Sequence, residues 1–190
     1  MKLGHQRRRA RRHAADAGLL PPGFRKLERM AAKHNYLRAM ALVRDGLNAQ
    51  ERGELDRAIE LYRESLELCP TAEGHTFLGW ALSYQGHLDE AIEHCRDAIA
   101  LDPEFGNPYN DIGVYLMQRD EFDNAIPWLE QAKRARRYEP RHFPYLNLGR
   151  IYMVRGELRR AIQEFEGALQ LVPNDEGIRQ IVAGLRAKLN

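Results

Sequence analysis

Hydroxyl side chains are scarce in this chain. Apart from tyrosines, 190 residues hold only Ser65, Ser83, Thr71 and Thr76, and none lies in a nucleophile motif. There is no GxxxxGKS/T phosphate loop and no GxGxxG fingerprint. Two cysteines cannot build a disulfide framework. No run of 18 apolar residues exists, so no spanning helix is expected. His94 and Cys95 are adjacent, hence on different faces of a helix, and lack ligand spacing. The acids are many, but they spread beside arginines in the pattern of a solvated surface. Together these absences predict a protein that is not an enzyme and holds neither cofactor nor metal.

What is present is a soluble globular balance: 44% hydrophobic and 29% charged residues, with a mean hydropathy of −0.59. The net charge of +2 conceals two parts. Residues 1–13, MKLGHQRRRARRH, hold Lys2, Arg7, Arg8, Arg9, Arg11 and Arg12 without an acid, a charge of +6. The remaining 23 basic and 27 acidic residues leave the rest at −4. The stretch after the basic run, AADAGLLPPG, is interrupted by Asp16 and ended by Pro21-Pro22, so it does not read as an export signal. No serine occurs in residues 1–24, against a transit peptide. The expectation is a cytoplasmic protein with a basic, disordered arm over 1–23.

A period of about 34 residues organises the rest. Gly46, Gly53, Ala58 and Pro70 recur 33 residues later as Gly79, Gly86, Ala91 and Pro103. Gly113 and Ala125 follow 34 residues on, and Gly149 and Ala161 another 36, with Pro173 closing. Leu55, Leu88, Phe122 and Leu158 keep this phase, as do Tyr62, Cys95, Leu129 and Phe165. Leu66, Ala98, Ala132 and Ala168 read as a further column. Each copy reads as two helices, the first carrying the glycine and the second the alanine. The turn falls near Gly53, Gly86, Asp120 or Gly156. Small residues at these points let two helices approach, and the proline ends the copy. Asn107-Pro108 reads as an N-cap followed by proline at the first helical position. Cys69 and Cys95 read as small buried hydrophobes.

These motifs resemble the tetratricopeptide repeat (TPR) family, whose unit carries Leu-Gly-x-x-Tyr, then Ala-x-x-x-Phe, then Pro. The fourth copy matches most fully, with Tyr145, Leu148-Gly149, Tyr152, Ala161, Phe165 and Pro173. The first is degenerate, with Asp45-Gly46 and Ala49 in place of Leu-Gly and Tyr. The resemblance implies an all-α fold, a right-handed superhelical α-solenoid of about four helix–turn–helix units. The copies are expected at 39–71, 72–105, 106–141 and 142–173. A leading helix over 24–38, with Leu27, Met30, Ala31 and Leu37 inward, precedes them. A capping helix over 174–190, with Ile178, Ile181, Val182 and Leu185 inward, follows. Pro140 follows a three-residue insertion, read as extending the preceding helix by about one turn. Its basic residues, Lys133 to Arg137, suit the last turn of a helix or a second contact surface. Pro127 reads as lying near a helix start.

The resemblance also implies a concave groove, lined by the first helices, that binds a peptide or a partner's helix. Mapping by the glycine column places Val43, Arg44 and Leu47 there. It adds Thr76, Phe77, Trp80, Tyr84, Asn107, Asn110, Asp111, Val114, Met117, Phe143, Leu146, Asn147, Arg150 and Met153. One branch of the family holds the C-terminal carboxylate of chaperone tails with a Lys/Asn clamp. The matching positions here, Val43, Leu47, Phe77, Asn107 and Asn147, contain no lysine, which argues against that ligand. Trp80 and Tyr84, at i and i+4, would form an aromatic shelf, although Trp80 packed between copies is the alternative. Asn110 and Asn147 would bond an extended backbone, and Asp111 would favour a basic group. The primary expectation is a non-catalytic interaction module or scaffold. The alternatives are nucleic-acid or acidic-partner binding through Arg7, Arg8, Arg9, Arg11 and Arg12, and regulation of a separately encoded enzyme.

Overall fold

A computed structural model describes residues 22–189. The basic arm therefore lies outside the described residues. The chain divides into two compact units, Met1–Arg38 and Ala39–Asn190. Among the described residues there are nine helices and no strand. They are α1 (Pro22–Glu51), α2 (Leu55–Leu68), α3 (Ala72–Tyr84), α4 (Leu88–Leu101), α5 (Asn107–Met117), α6 (Phe122–Arg134), α7 (Phe143–Val154), α8 (Leu158–Leu171) and α9 (Glu176–Ala187). No described helix is long and apolar enough to cross a membrane. The second unit is a helical-repeat solenoid in which the part of α1 from Ala39 onward pairs with α2, followed by the pairs α3/α4, α5/α6 and α7/α8 and closed by α9.

Each pair turns through the same hydrogen-bonded device. The amides of Glu54, His87, Glu121 and Glu157 donate to the carbonyls of Ala49, Leu82, Leu116 and Tyr152, five residues back, at 2.9–3.1 Å. The residue before each donates three residues back, which completes a Schellman turn. This geometry demands a left-handed residue. Gly53, Gly86 and Gly156 supply it with φ of 79°, 81° and 72°, whereas Asp120 adopts φ of 59° with a side chain present.

The glycine column in the first helices works through what fills the space of the missing Cβ. A Cβ on Gly46, Gly113 or Gly149 would stand 2.5–2.8 Å from Tyr62, Leu129 or Phe165. At Gly79 the matching residue is the small Cys95, and the gap closes by backbone approach, with the Ala91 carbonyl oxygen 2.9 Å from that point. Ala58, Ala91, Ala125 and Ala161 are fully buried beneath these contacts. The column of Ala98, Ala132 and Ala168 is occupied in the first copy by Ser65 rather than Leu66. Ser65 is fully buried, as those alanines are, and its hydroxyl donates to the Ala39 carbonyl at 2.9 Å. One residue of phase separates it from the partly buried Leu66.

Neighbouring pairs are joined by a recurring polar tie. An acid in the first turn of each of the first three second helices accepts from the turn of the next copy. Asp56 accepts from Gln85 at 2.8 Å, Asp89 pairs with Arg119 at 2.7 Å, and Asp123 pairs with Arg155.

Several expectations are corrected. Helix α1 is one 30-residue helix, so no separate leading helix exists over 24–38. Leu27, Met30 and Leu37 are exposed, not inward. In α9, Ile178, Val182 and Leu185 are buried, but Ile181, at the edge of their stripe, is 38% exposed. Cys95 is fully buried, whereas Cys69 is only partly so, since it caps the end of α2. Asn107 is the first residue of α5, and Gly106 occupies the cap. Pro127 sits in the second turn of α6, where its ring leaves the Asp123 carbonyl without an i+4 donor.

The insertion after α6 does not lengthen the helix, which ends at Arg134. Residues 135–142 instead form a loop that docks on the linker of the second copy. The Arg137 amide donates to the Glu104 carbonyl and the Gly106 amide donates to the Arg137 carbonyl, both at 2.9 Å. The Arg137 guanidinium pairs with Glu73 at 2.8 Å and Asp102 at 2.6 Å. It also lies 3.9 Å from the centre of the Phe105 ring. Tyr138 is buried against Gly106, whose missing Cβ makes the room. Two members of the basic run, Arg137 and Lys133, are thus spent on internal contacts: Lys133 pairs with Glu130 and Glu164 over the Tyr145 ring, while Arg134 and Arg136 stay exposed.

Three stability measurements check this account by urea unfolding. Gly79→Ala is expected to cost about 1–3 kcal/mol through overpacking, despite the gain of about 1 kcal/mol in helix propensity. Asp120→Gly is expected to gain about 0.5–1 kcal/mol by removing the strained αL side chain. Arg137→Ala is expected to cost about 1 kcal/mol at neutral pH. The Arg137 guanidinium bond holds the Asp102 carboxyl below its ordinary 3.8. The Asp102 contribution is therefore complete above that value and lost as the pH falls below it, so the variant and the parent should converge on acidification.

Candidate functional site

Trp80 and Tyr84 project from one face of α3. Trp80 is 36% and Tyr84 65% exposed, with their rings edge to face at 5.6 Å between centroids. Phe77 lies behind them, 6.4 Å from Trp80 and stacked at 6.1 Å on the core residue Tyr62. The row therefore runs from fully buried to fully wet. One helical face carries it because residues three and four apart share a face.

Beside this shelf a cleft of about 470 Å³ is lined by Leu47, Gln50, Leu55, Trp80 and Tyr84, with Glu51 and Gly53 at its edge. Its wall is apolar with one notable donor. Gln50 accepts the Tyr62 hydroxyl proton through Oε1 at 3.1 Å, while its Nε2 is buried without a partner. A buried amide donor without an acceptor is costly.

The amides placed in the groove are not free. Asn110 and Asn147 are buried and bonded to each other across α5 and α7, Asn147 Nδ2 donating to Asn110 Oδ1 at 2.9 Å. Arg150 donates to Asn147 Oδ1 at 3.1 Å, and Asn110 Nδ2 donates to Asp111 Oδ1 at 3.4 Å. This replaces the expectation of two amides open to an extended backbone: they bond each other, and the hydrogen-bonded chain ends in Arg150 and Asp111. Burial pushes the Asp111 carboxyl up to about 7, partly offset by the Asn110 bond.

Of the other mapped positions, Arg44 is exposed and pairs with Asp45 at 3.5 Å. Phe143 and Met153 are exposed, whereas Val43 and Thr76 are buried. Thr76 turns its hydroxyl back to the Ala72 carbonyl at 2.7 Å. Arg7, Arg8, Arg9, Arg11 and Arg12 lie outside the described residues. The sequence reading missed His75, which faces His94 across α3 and α4, and Asp97, three residues beyond His94. Only the repeat register, which pairs the two helices, could have signalled that contact.

Comparison with known proteins supports the same architecture. Tetratricopeptide repeat sequence models match residues 72–105 and 145–179. The chain is 26% identical over 149 residues to the type IV pilus assembly protein PilF of Pseudomonas aeruginosa, covering 78% of this chain and 59% of that protein. It is 35% identical over 87 residues to the photosystem I assembly protein Ycf3 of Cyanophora paradoxa, covering 44% and 50%. The chain thus spans about half to three-fifths of the length of these two relatives. Among solved structures, one from a functional characterisation of P. aeruginosa PilF superposes with TM-score 0.76 at 25% identity, over 82% of this chain and 70% of that one. A crystal structure of MamA superposes with TM-score 0.63 at 25% identity, over 75% and 83%. Helix pairs turning on left-handed glycines, a buried small-residue seam and these matches lead to one conclusion: the chain carries repeats of the tetratricopeptide type, matched over residues 72–105 and 145–179, in an all-α repeat fold.

Proposed function

We propose that this protein is a non-catalytic assembly scaffold that binds a peptide or a partner helix along the face carrying Trp80 and Tyr84. The observation that supports this reading most is the exposed aromatic pair beside an apolar cleft. A protein does not leave a tryptophan and a tyrosine in contact with water at a concave wall without cost, and such residues carry binding energy when covered. The relatives PilF and Ycf3, both described as assembly proteins, favour the same class. An apolar side chain of the ligand would fill the cleft, and an acceptor beside it would meet the orphan Gln50 Nε2. Arg150 would meet an acidic or carbonyl group, and Asp111 a basic one. The clamp positions hold no lysine, which argues against a chaperone-type terminal carboxylate as the ligand.

Two outcomes are expected. Trp80→Ala should weaken partner retention by about 2 kcal/mol or more while leaving the melting temperature nearly unchanged. Partners captured equally by Trp80→Ala and Arg150→Ala proteins would sink groove binding. The second concerns Asp111, whose folded-state pKa of about 7 exceeds the ordinary 3.8. Its protonated form stabilises the free protein fully below that ordinary value, and the contribution is lost as the pH rises through about 7. Asp111→Asn should therefore unfold later than the parent at pH above about 7 and show a flatter pH profile.

A further inference from the structure

We propose that His75, His94 and Asp97 form a binding site for a single divalent transition-metal ion of the zinc class, clamped between α3 and α4. The proposal does not rest on the groove. The His75 and His94 Nδ1 atoms lie 3.0 Å apart, with the ring centroids at 5.3 Å. Asp97 Oδ2 lies 3.7 Å from His75 Nδ1. One ligand atom from each of the three residues falls within 4.8 Å of the others.

The nitrogen spacing is what a shared ion requires. Two imidazole nitrogens bound to one zinc ion at about 2.0–2.1 Å stand about 2.9 Å apart at a right angle and about 3.3 Å apart at the tetrahedral angle. The observed separation falls in that interval. The Asp97 oxygen is slightly too far, but this side chain is 62% exposed and free to rotate inward, whereas the His75 side chain, 15% exposed, is held by its packing. His94 and Asp97 are at i and i+3, so α4 presents both on one face. His75 arrives from the antiparallel helix of the same pair, fixed by the approach of α3 to α4 at Gly79.

The donor set selects the ion. Two imidazoles and one carboxylate suit zinc, cobalt, nickel or copper; magnesium and calcium prefer all-oxygen shells. Three protein ligands leave a position for water. Glu90, which with Asp97 adds negative charge beside His94, lies one turn before it and pairs with Arg63 of α2 at 3.6 Å. The site thus gathers negative charge from its own helix, with Arg63 the cation facing it from α2.

The test uses the full chain after chelator treatment, titrated with ZnCl2 by calorimetry and with CoCl2 by visible absorption. The expected result is one ion per chain, with affinity reduced about tenfold or more in Asp97→Asn and binding abolished in His94→Gln. Zinc should raise the melting temperature of the parent but not of His94→Gln. Nitrogen-15 spectra of the histidine rings should show Nδ1 of His75 and His94 changing on zinc addition, a readout independent of any variant's folding. Unchanged ring signals at these two residues, or unaltered stoichiometry in His94→Gln, would overturn the proposal and leave a plain imidazole–imidazole hydrogen bond.

Discussion

The spacing of every helix pair in this protein is set at four points where a side chain is missing. Gly46, Gly113 and Gly149 leave room that a side chain of the opposite helix fills, and Gly79 leaves room that the opposite backbone fills. The second helix then lands at a fixed distance and angle, which brings Ala58, Ala91, Ala125 and Ala161 into full burial. No pair covers its own apolar surface, so each must stack on the next. The solenoid and its turns follow from that obligation.

The stack is corrected for register by polar ties that fall at the repeat period. Asp56, Asp89 and Asp123 each hold the turn of the following copy. Where the period is broken by insertion, Arg137 takes over. It spans Glu73, Asp102 and the Phe105 ring, and so ties the loop after α6 back to the second copy. Arg137 and Lys133 are neutralised by these contacts, whereas Arg134 and Arg136 stay exposed.

The candidate binding face follows from the same geometry. First helices carry their small residues toward their partner helices, which leaves the opposite stripe of α3 to Trp80 and Tyr84. Polar residues on α5 and α7 are close enough to satisfy one another, and Asn110 and Asn147 do so. What these internal partnerships leave over is an apolar shelf, an orphan amide at Gln50 and two charged ends, Arg150 and Asp111.

The amino-acid sequence by itself determined the repeat, the helix pairs and the turns. Those depend on local or periodic properties: a glycine where φ is positive, an alanine where helices touch, an apolar stripe every three to four residues. It could also place Trp80 and Tyr84 on one face, since their spacing is a property of a single helix. Tertiary structure decided the rest. Ser65 rather than Leu66 fills the buried column, because one residue of phase turns a side chain by about 100°. Asn110 and Asn147 find each other across 37 residues, and His75 finds His94 across 19. Arg137 finds Glu73 across 64. Such partners are not neighbours in any helical register, and only the packing of one helix against another brings their atoms within bonding distance.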